Sequence, residues 1–201
     1  MNNLLILYPN AFKAYSKFER KLERITSNMD NFRLTTPDDG NGFLAQFAES
    51  HSLKPEVFVV DDWFGSQPTH AVVFDDGEEF CDEVVLIKQL AVPLREIRIA
   101  ITRVVNIKTD PKFNIQVDTP GFTYIGRGSY WGNPYSMFEE NETREEVIRK
   151  FKYDFDFEKF PNKEKSEVYK LAGKRLGCFC KPEACHGDVL ADFLNAWDDG
   201  K

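Results

Sequence analysis

Residues 57–77 read VFVVDDWFGSQPTHAVVFDDG. Two segments of this stretch, Val57–Val60 and His70–Asp75, are short and mostly apolar, and each leads into a pair of aspartates. Apolar runs of this length that end in turn-forming residues are typical of buried strands. The stretch therefore predicts two strands in succession, and the elements around it decide how those strands pair.

The segments on either side alternate between strand and helix patterns. Residues 11–28 carry apolar side chains at spacings of three and four, which is the pattern of an amphipathic helix. Alternating strands and helices favour a parallel sheet with helices on both faces. The predicted strands are residues 4–8, 32–35, 57–60, 70–75 and 96–101, and the predicted helices are residues 11–28, 43–50 and 79–90.

The pattern changes near residue 101, and we predict a second, smaller α/β domain there. Thr143 is followed three residues later by Glu146, which is the spacing of a helix-opening capping box. We place the domain boundary so that residues 1–103 and 104–201 form the two domains. The second domain is predicted to contain strands at 104–107, 122–125 and 176–180 and helices at 143–153, 165–172 and 186–197.

Charge limits the classes of partner. The chain has 201 residues and a net charge of −7, of which residues 1–100 contribute −6 and residues 101–201 contribute −1. Nucleic-acid binding needs a basic face, so it is not favoured, although the nearly neutral second half leaves it as an alternative. No apolar run approaches the ~20 residues of a membrane span. No basic residue precedes the apolar run at residues 4–7, so we expect a cytoplasmic protein with no membrane partner.

The first candidate site is the loop before the second helix, where Gly40, Asn41 and Gly42 follow two aspartates. A helix N-terminus attracts anions, and glycines let the backbone approach a ligand closely. Asp38 and Asp39 would oppose an anion, so a capped turn is the alternative. The acidic pair 75–76 also follows a strand, where open α/β sheets bind ligands, but turn acids in solvent fit equally well.

Residues 40–48 (GNGFLAQFA), together with 57–63 and 70–77, resemble the SLOG superfamily of small Rossmannoid domains, close to its DUF2493 (YspA) branch. The resemblance implies a nucleotide or nucleotide-derived ligand. The family's first-strand Gly-Ser-Arg is replaced here by residues 8–10 (YPN), and its Gly-Gly-Ala-Arg-Gly loop by residues 37–41 (PDDGN). The alternative is therefore a degenerate domain that serves in packing or recognition and does not bind a nucleotide. The candidate ligand residues of this half are Gly40, Asn41, Gly42, Asp75 and Asp76.

The second candidate site lies in residues 124–134, which read YIGRGSYWGNP. Arg127 stands between two glycines, and a guanidinium can bind a phosphate or carboxylate through two hydrogen bonds. Aromatic rings could stack on a base or sugar, and an asparagine before proline is biased to an extended backbone. An aromatic structural turn is the alternative. The predicted substrate-binding residues are Tyr124, Gly126, Arg127, Gly128, Trp131 and Asn133.

The third candidate site reads CFCKPEACHGD at residues 178–188. It fits a ligand pocket, a zinc site or buried structural cysteines. Neighbouring residues at a helix start diverge by ~100°, so Cys185 and His186 should not reach one ion, and we expect no metal and no cofactor. We predict Cys185, His186 and Asp188 as catalytic residues, and Cys178, Cys180 and Lys181 as substrate-binding residues.

Both blocks together resemble DUF4326, a family common in phages and bacteria, over residues 103–197. The resemblance implies one site built from both blocks. The leading hypothesis is an enzyme acting on a nucleotide, nucleoside or nucleotide-sugar, in the host cytoplasm if the protein is phage-encoded. Two alternatives stay open: a non-catalytic phage protein that sequesters a nucleotide or binds a host protein, and a factor that modifies or repairs nucleic acid.

Overall fold

The computed structural model describes residues 1–110, 112–113, 118–137 and 142–200, and these form two compact units. The first unit comprises Met1–Ile99 together with the segment that begins at Ala196. The second unit comprises Ala100–Asn195. None of the helices in the described ranges is long and apolar enough to cross a membrane.

The first unit is built on a five-stranded sheet in the order β3-β2-β1-β4-β5, and all neighbouring strands are parallel. The predicted parallel α/β arrangement is therefore confirmed. The predicted fifth strand begins and ends earlier than expected. The strands are β1 (Asn2–Leu7), β2 (Phe32–Thr36), β3 (Val57–Val59), β4 (His70–Asp75) and β5 (Leu94–Arg98), and the helices are α1 (Tyr15–Thr26), α2 (Phe43–Ser50) and α3 (Cys81–Gln89).

Side chains of a strand alternate between the two faces of a sheet, so the apolar central strands place apolar side chains on both faces. Helices cover both of these faces. On one face, Ile87 of α3 packs in a cluster with Leu5 and Val73 of the central strands. On the other face, Phe74 stacks on Phe18 of α1, with ring centroids 5.0 Å apart. The central strands are consequently apolar on both sides, which is why their sequences read as continuous hydrophobic runs.

The second unit is built on a three-stranded parallel sheet in the order β6-β8-β7. The predicted strand 176–180 ends at Cys178, and the predicted helix 165–172 is a 3₁₀ helix over Lys165–Leu171. Because β8 is central, its carboxyl end is flanked by the ends of both neighbours. The elements are β6 (Arg103–Asn106), β7 (Phe122–Tyr124), α4 (Arg144–Asp156), β8 (Arg175–Cys178) and α5 (His186–Asn195).

The predicted capping box opens α4. The Thr143 hydroxyl accepts a hydrogen bond from the Glu146 backbone N–H at 3.3 Å, and the Glu146 carboxylate accepts one from the Thr143 N–H at 2.8 Å. Hydrogen bonds from Thr143 lower the pKa of Glu146. Two donors that a helix N-terminus would otherwise leave unpaired are thereby satisfied.

We expect Thr143→Ala to lower the free energy of unfolding by about 1 kcal/mol, because the acceptor for the Glu146 N–H is lost. Thr143→Ser keeps that acceptor and should unfold close to the natural chain. Urea unfolding followed by far-ultraviolet circular dichroism measures both. Equal stability of the two variants would show that the capping box contributes nothing.

Candidate functional site

A cavity of about 310 Å³ lies at the carboxyl end of β8, in the second unit. Parallel sheets place their ligand sites at this end of the strands. The first sequence block and the cysteine block both reach this cavity, and α4 supplies a third wall. Of the predicted site residues, the structure brings together Gly126, Arg127, Asn133, Cys178, Cys180, Cys185 and His186 in its lining.

Three thiols form one cluster in the cavity wall. The sulfur atoms of Cys178, Cys180 and Cys185 all lie within 4.8 Å of one another, and the first two are 3.5 Å apart. A hydrogen bond with the Cys185 thiol lowers the pKa of Cys178 to about 5. The same hydrogen bond raises the pKa of Cys185, which keeps its proton. We call these three residues the thiol cluster.

His186 is a buried member of the lining, 6% exposed. Its Nε2 lies 2.9 Å from the Ile125 carbonyl, and its Nδ1 lies 3.6 Å from the Cys185 sulfur. Burial lowers the pKa of the imidazole, which favours the neutral ring. A carbonyl accepts hydrogen bonds only, so the proton of the neutral ring belongs on Nε2. Nδ1 then carries no proton and lies beside the Cys185 thiol.

Asp188 and Lys181 were predicted as site residues, but neither lines the cavity. The Asp188 carboxylate accepts a hydrogen bond from the Cys185 N–H at 2.9 Å and forms an ion pair with Lys181 at 2.7 Å. A carboxylate in this position satisfies a free donor at a helix start. The carboxylate therefore fixes the backbone that carries Cys185, and the catalytic role predicted for Asp188 stays a prediction.

The predicted stacking residues are also displaced. Trp131 is only 4% exposed and packs edge-on against Phe155 in the core, so its ring cannot stack on a ligand. Neither Trp131 nor Tyr124 lines the cavity. Among the described residues, the aromatic side chains of the lining are Tyr135 and Phe179, and Phe179 is 44% exposed. The place of Phe179 between two cysteines of the candidate site could have indicated a cavity residue. The sequence instead predicted a strand through residue 180, in which Phe179 would face away from both cysteines.

The glycines and the asparagine of the first block shape the loop around Arg127. A Cβ on Gly126 would lie 2.2 Å from the Tyr124 hydroxyl and would displace that ring, and the φ of +85° at Gly128 favours glycine there. The Asn133 side chain donates to the Val147 carbonyl at 3.1 Å and accepts from the Tyr135 N–H. Asn133 therefore fixes the loop on α4 while it lines the cavity.

In the part of the lining that the structure describes, two arginines supply the charge. Arg127 is exposed, and within the described residues no side chain forms a hydrogen bond or ion pair with its guanidinium. Arg144, in the first turn of α4, donates to the Ala184 carbonyl at 3.2 Å. Sequence reasoning missed Arg144, although its place directly after the capping residue was visible.

In the first unit, the loop before α2 is closed by its own side chains. The Asp39 carboxylate accepts hydrogen bonds from the Leu44 and Ala45 N–H groups at 3.0 and 3.1 Å, and from the Tyr8 hydroxyl at 2.6 Å. The Asn41 amide donates to the Phe12 carbonyl at 2.9 Å. The donors that would bind an anion are therefore already satisfied by a carboxylate of the chain.

The other candidates of the first unit also bind their own neighbourhood. Asp75 forms an ion pair with Arg98 at 2.6 Å and accepts from the Gly77 N–H. Asp76 accepts from the N–H groups of Glu78 and Glu79. Gly40 stands close to Asn10, because a Cβ on it would lie 2.6 Å from that side chain, and Gly42 has a φ of +68°.

Each half of the chain matches a known protein family. Residues 1–105 match the family described as "Minimal SLOG domain", which is more than half of the chain. The chain belongs to the minimal SLOG family. Residues 105–196 match "Domain of unknown function (DUF4326)", so both resemblances drawn from the sequence are confirmed in the predicted order.

One relative is a phage protein. The chain is 41% identical over 73 residues to "Uncharacterized 12.4 kDa protein in nrdA-td intergenic region" of Enterobacteria phage T4. The match covers 35% of this chain and spans 65% of the phage protein's length. No solved structure matches the chain significantly.

In this SLOG domain, Asp39 provides a direct test of the closed loop. We expect Asp39→Ala to lower the free energy of unfolding by about 1–2 kcal/mol, because two N–H groups at the start of α2 lose their acceptor. Asp38→Ala removes the same charge from an exposed neighbour and should cost much less. Urea unfolding of both variants gives the comparison. Equal losses would mean that charge alone, and no capping, is responsible.

Proposed function

We propose that the protein is an enzyme that acts on a nucleotide, nucleoside or nucleotide-sugar in the cavity of the second unit. The SLOG domain suggests a nucleotide-related function. The cavity is where residues of both DUF4326 blocks meet. Its volume of about 310 Å³ lies near the lower end of the range of about 300–1,000 Å³ for small-molecule sites, which suits a mononucleotide-sized ligand.

The charge of the lining is the observation that carries this proposal. Among the described residues of the lining, the permanently charged side chains are Arg127 and Arg144, and no carboxylate is present. Arginine is the side chain best suited to a two-point grip on phosphate. Arg127, whose guanidinium pairs with no described side chain, is therefore assigned to an anionic group of the substrate, and Arg144 adds to the positive potential.

The remaining lining suits the other parts of such a substrate. Phe179 offers a partly exposed ring on which a base can stack, a contact worth about 1–3 kcal/mol where it has been measured. Cys185 and His186 place a thiol beside a neutral imidazole and are assigned the acid–base or nucleophilic chemistry. Asp188 is left out of this assignment because it caps the start of α5.

Replacement of Arg127 tests the assigned substrate grip. We expect Arg127→Gln to weaken binding of nucleoside monophosphates by about 10-fold or more, because a hydrogen bond to a charged group contributes about 1.5–3 kcal/mol. Binding of the uncharged nucleosides should change little. Isothermal titration calorimetry with a panel of nucleotides and nucleosides measures both effects.

The matched control is Arg149→Gln, which removes the same charge from an exposed position of α4 outside this cavity. An equal loss in both variants would indicate a general effect of charge and would contradict the assigned contact. No binding of any nucleotide or nucleoside to the natural chain would overturn the proposal and favour a protein partner.

A non-catalytic nucleotide binder is the second candidate, and one observation favours it. Asp188 does not line the cavity, and the described lining offers no carboxylate for acid–base chemistry. Incubation of the full chain with each bound nucleotide, followed by chromatography of the ligand, separates the two functions. We expect a changed nucleotide, with turnover reduced by His186→Gln. Tight binding with every ligand recovered intact would establish the binder instead.

A further inference from the structure

We propose that the thiol cluster is a metal site, in which Cys178, Cys180 and Cys185 bind one thiophilic divalent ion of the zinc class. The fourth coordination position of this ion faces the cavity. The sequence led us to expect no metal because a four-ligand site would need Cys185 and His186 to converge. The structure shows that three sulfurs converge without the histidine.

The spacing of the sulfurs fits one ion. Zinc–sulfur bonds of about 2.3 Å in a tetrahedral site place neighbouring sulfurs about 3.8 Å apart. The Cys178 and Cys180 sulfurs are 3.5 Å apart, and all three are within 4.8 Å of one another. Small side-chain rotations would bring them to bonding distance.

The fold holds the three ligands from two sides. Cys178 ends the central strand β8, and Cys180 follows two residues later with its sulfur 3.5 Å from that of Cys178. Cys185 directly precedes α5, and its backbone N–H is fixed by Asp188 at 2.9 Å. Two of the ligands are therefore close together in sequence, and the third lies at a helix start. The fold brings them together before any metal ion binds.

The surroundings suit bound thiolates. The Gly187 N–H donates to the Cys185 sulfur at 3.4 Å, and the Arg144 guanidinium is hydrogen-bonded to Cys180. Such outer contacts orient metal ligands and stabilise their negative charge. Three thiolates on a divalent ion carry a net charge of −1, which the Arg144 guanidinium offsets.

The fourth position is open because the described residues supply three ligand atoms in this cluster and no fourth. His186 stays outside it, with its Nε2 at the Ile125 carbonyl. All three cysteines line the cavity, so water or a substrate atom can reach the ion. Three protein ligands with one open position are the arrangement of catalytic rather than structural zinc. If the proposed function also holds, Cys185 serves as a metal ligand in place of the chemical role assigned to it above, and His186 alone keeps the acid–base role.

The test measures metal binding in the absence of nucleotide. The full chain is purified without chelator under reducing conditions, and its zinc content is determined by elemental analysis. Zinc affinity is then measured by competition with a chromogenic chelator. We expect about one zinc per chain, and Co²⁺ substitution should give thiolate-to-cobalt charge-transfer absorption.

Cys178→Ser should weaken zinc binding by more than about 100-fold, beyond the 10–100-fold typical of outer contacts. Cys180 is less buried than Cys178, so Cys180→Ser provides the same test if the first variant does not fold. Cys81→Ser is the matched control, because this exposed cysteine lies in the first unit. Absence of zinc binding, or equal effects of Cys81→Ser and Cys180→Ser, would refute the site.

His186→Gln tests the open position separately. The variant should keep about one zinc per chain, since its side chain is not a ligand. Loss of the ion in a folded His186→Gln variant would overturn the three-thiolate assignment. Zinc binding without any nucleotide binding would refute only the proposed function, and nucleotide binding without zinc would refute only this inference.

Discussion

The hydrogen bond from the Cys185 N–H to the Asp188 carboxylate fixes the part of the second unit on which the candidate site depends. The chain leaves the sheet at Cys178 and returns at the start of α5, where Cys185 must face the same cavity. The hydrogen bond to Asp188 fixes the backbone at Cys185, where the chain returns to the cavity. The ion pair with Lys181 holds the Asp188 carboxylate in place. One buried thiol is thereby brought to two others from a different element.

The two units use carboxylates at helix starts in different ways. In the SLOG domain, Asp39 satisfies two donors at the start of α2, which could otherwise attract an anion. In the second unit, Asp188 also caps a helix start, but the neighbouring cavity stays open and is lined by arginine. The same local interaction closes one loop and positions the reactive groups of the other unit.

The order of strands and helices could be predicted because hydrophobic period and turn residues are local signals. The errors came from tertiary packing. Trp131 lies in a glycine-rich turn that looked exposed, yet its ring fills the core against Phe155. Phe179 was expected inside a strand that ends one residue earlier. No local signal states where a strand ends against its neighbours, so the residues that face the cavity could be named only in part.

The thiol cluster and the arginines are electrostatically compatible, and this links the two proposals. Among the described residues of the lining, the two arginines Arg127 and Arg144 contribute a formal charge of +2. A divalent ion on three thiolates adds −1, so the loaded cavity still carries +1 and still attracts an anion. The ion would place its open position among the groups that attract a phosphate-bearing ligand. Removal of either arginine would leave the loaded cavity without net positive charge, so binding of metal and binding of an anionic substrate depend on the same pair of side chains.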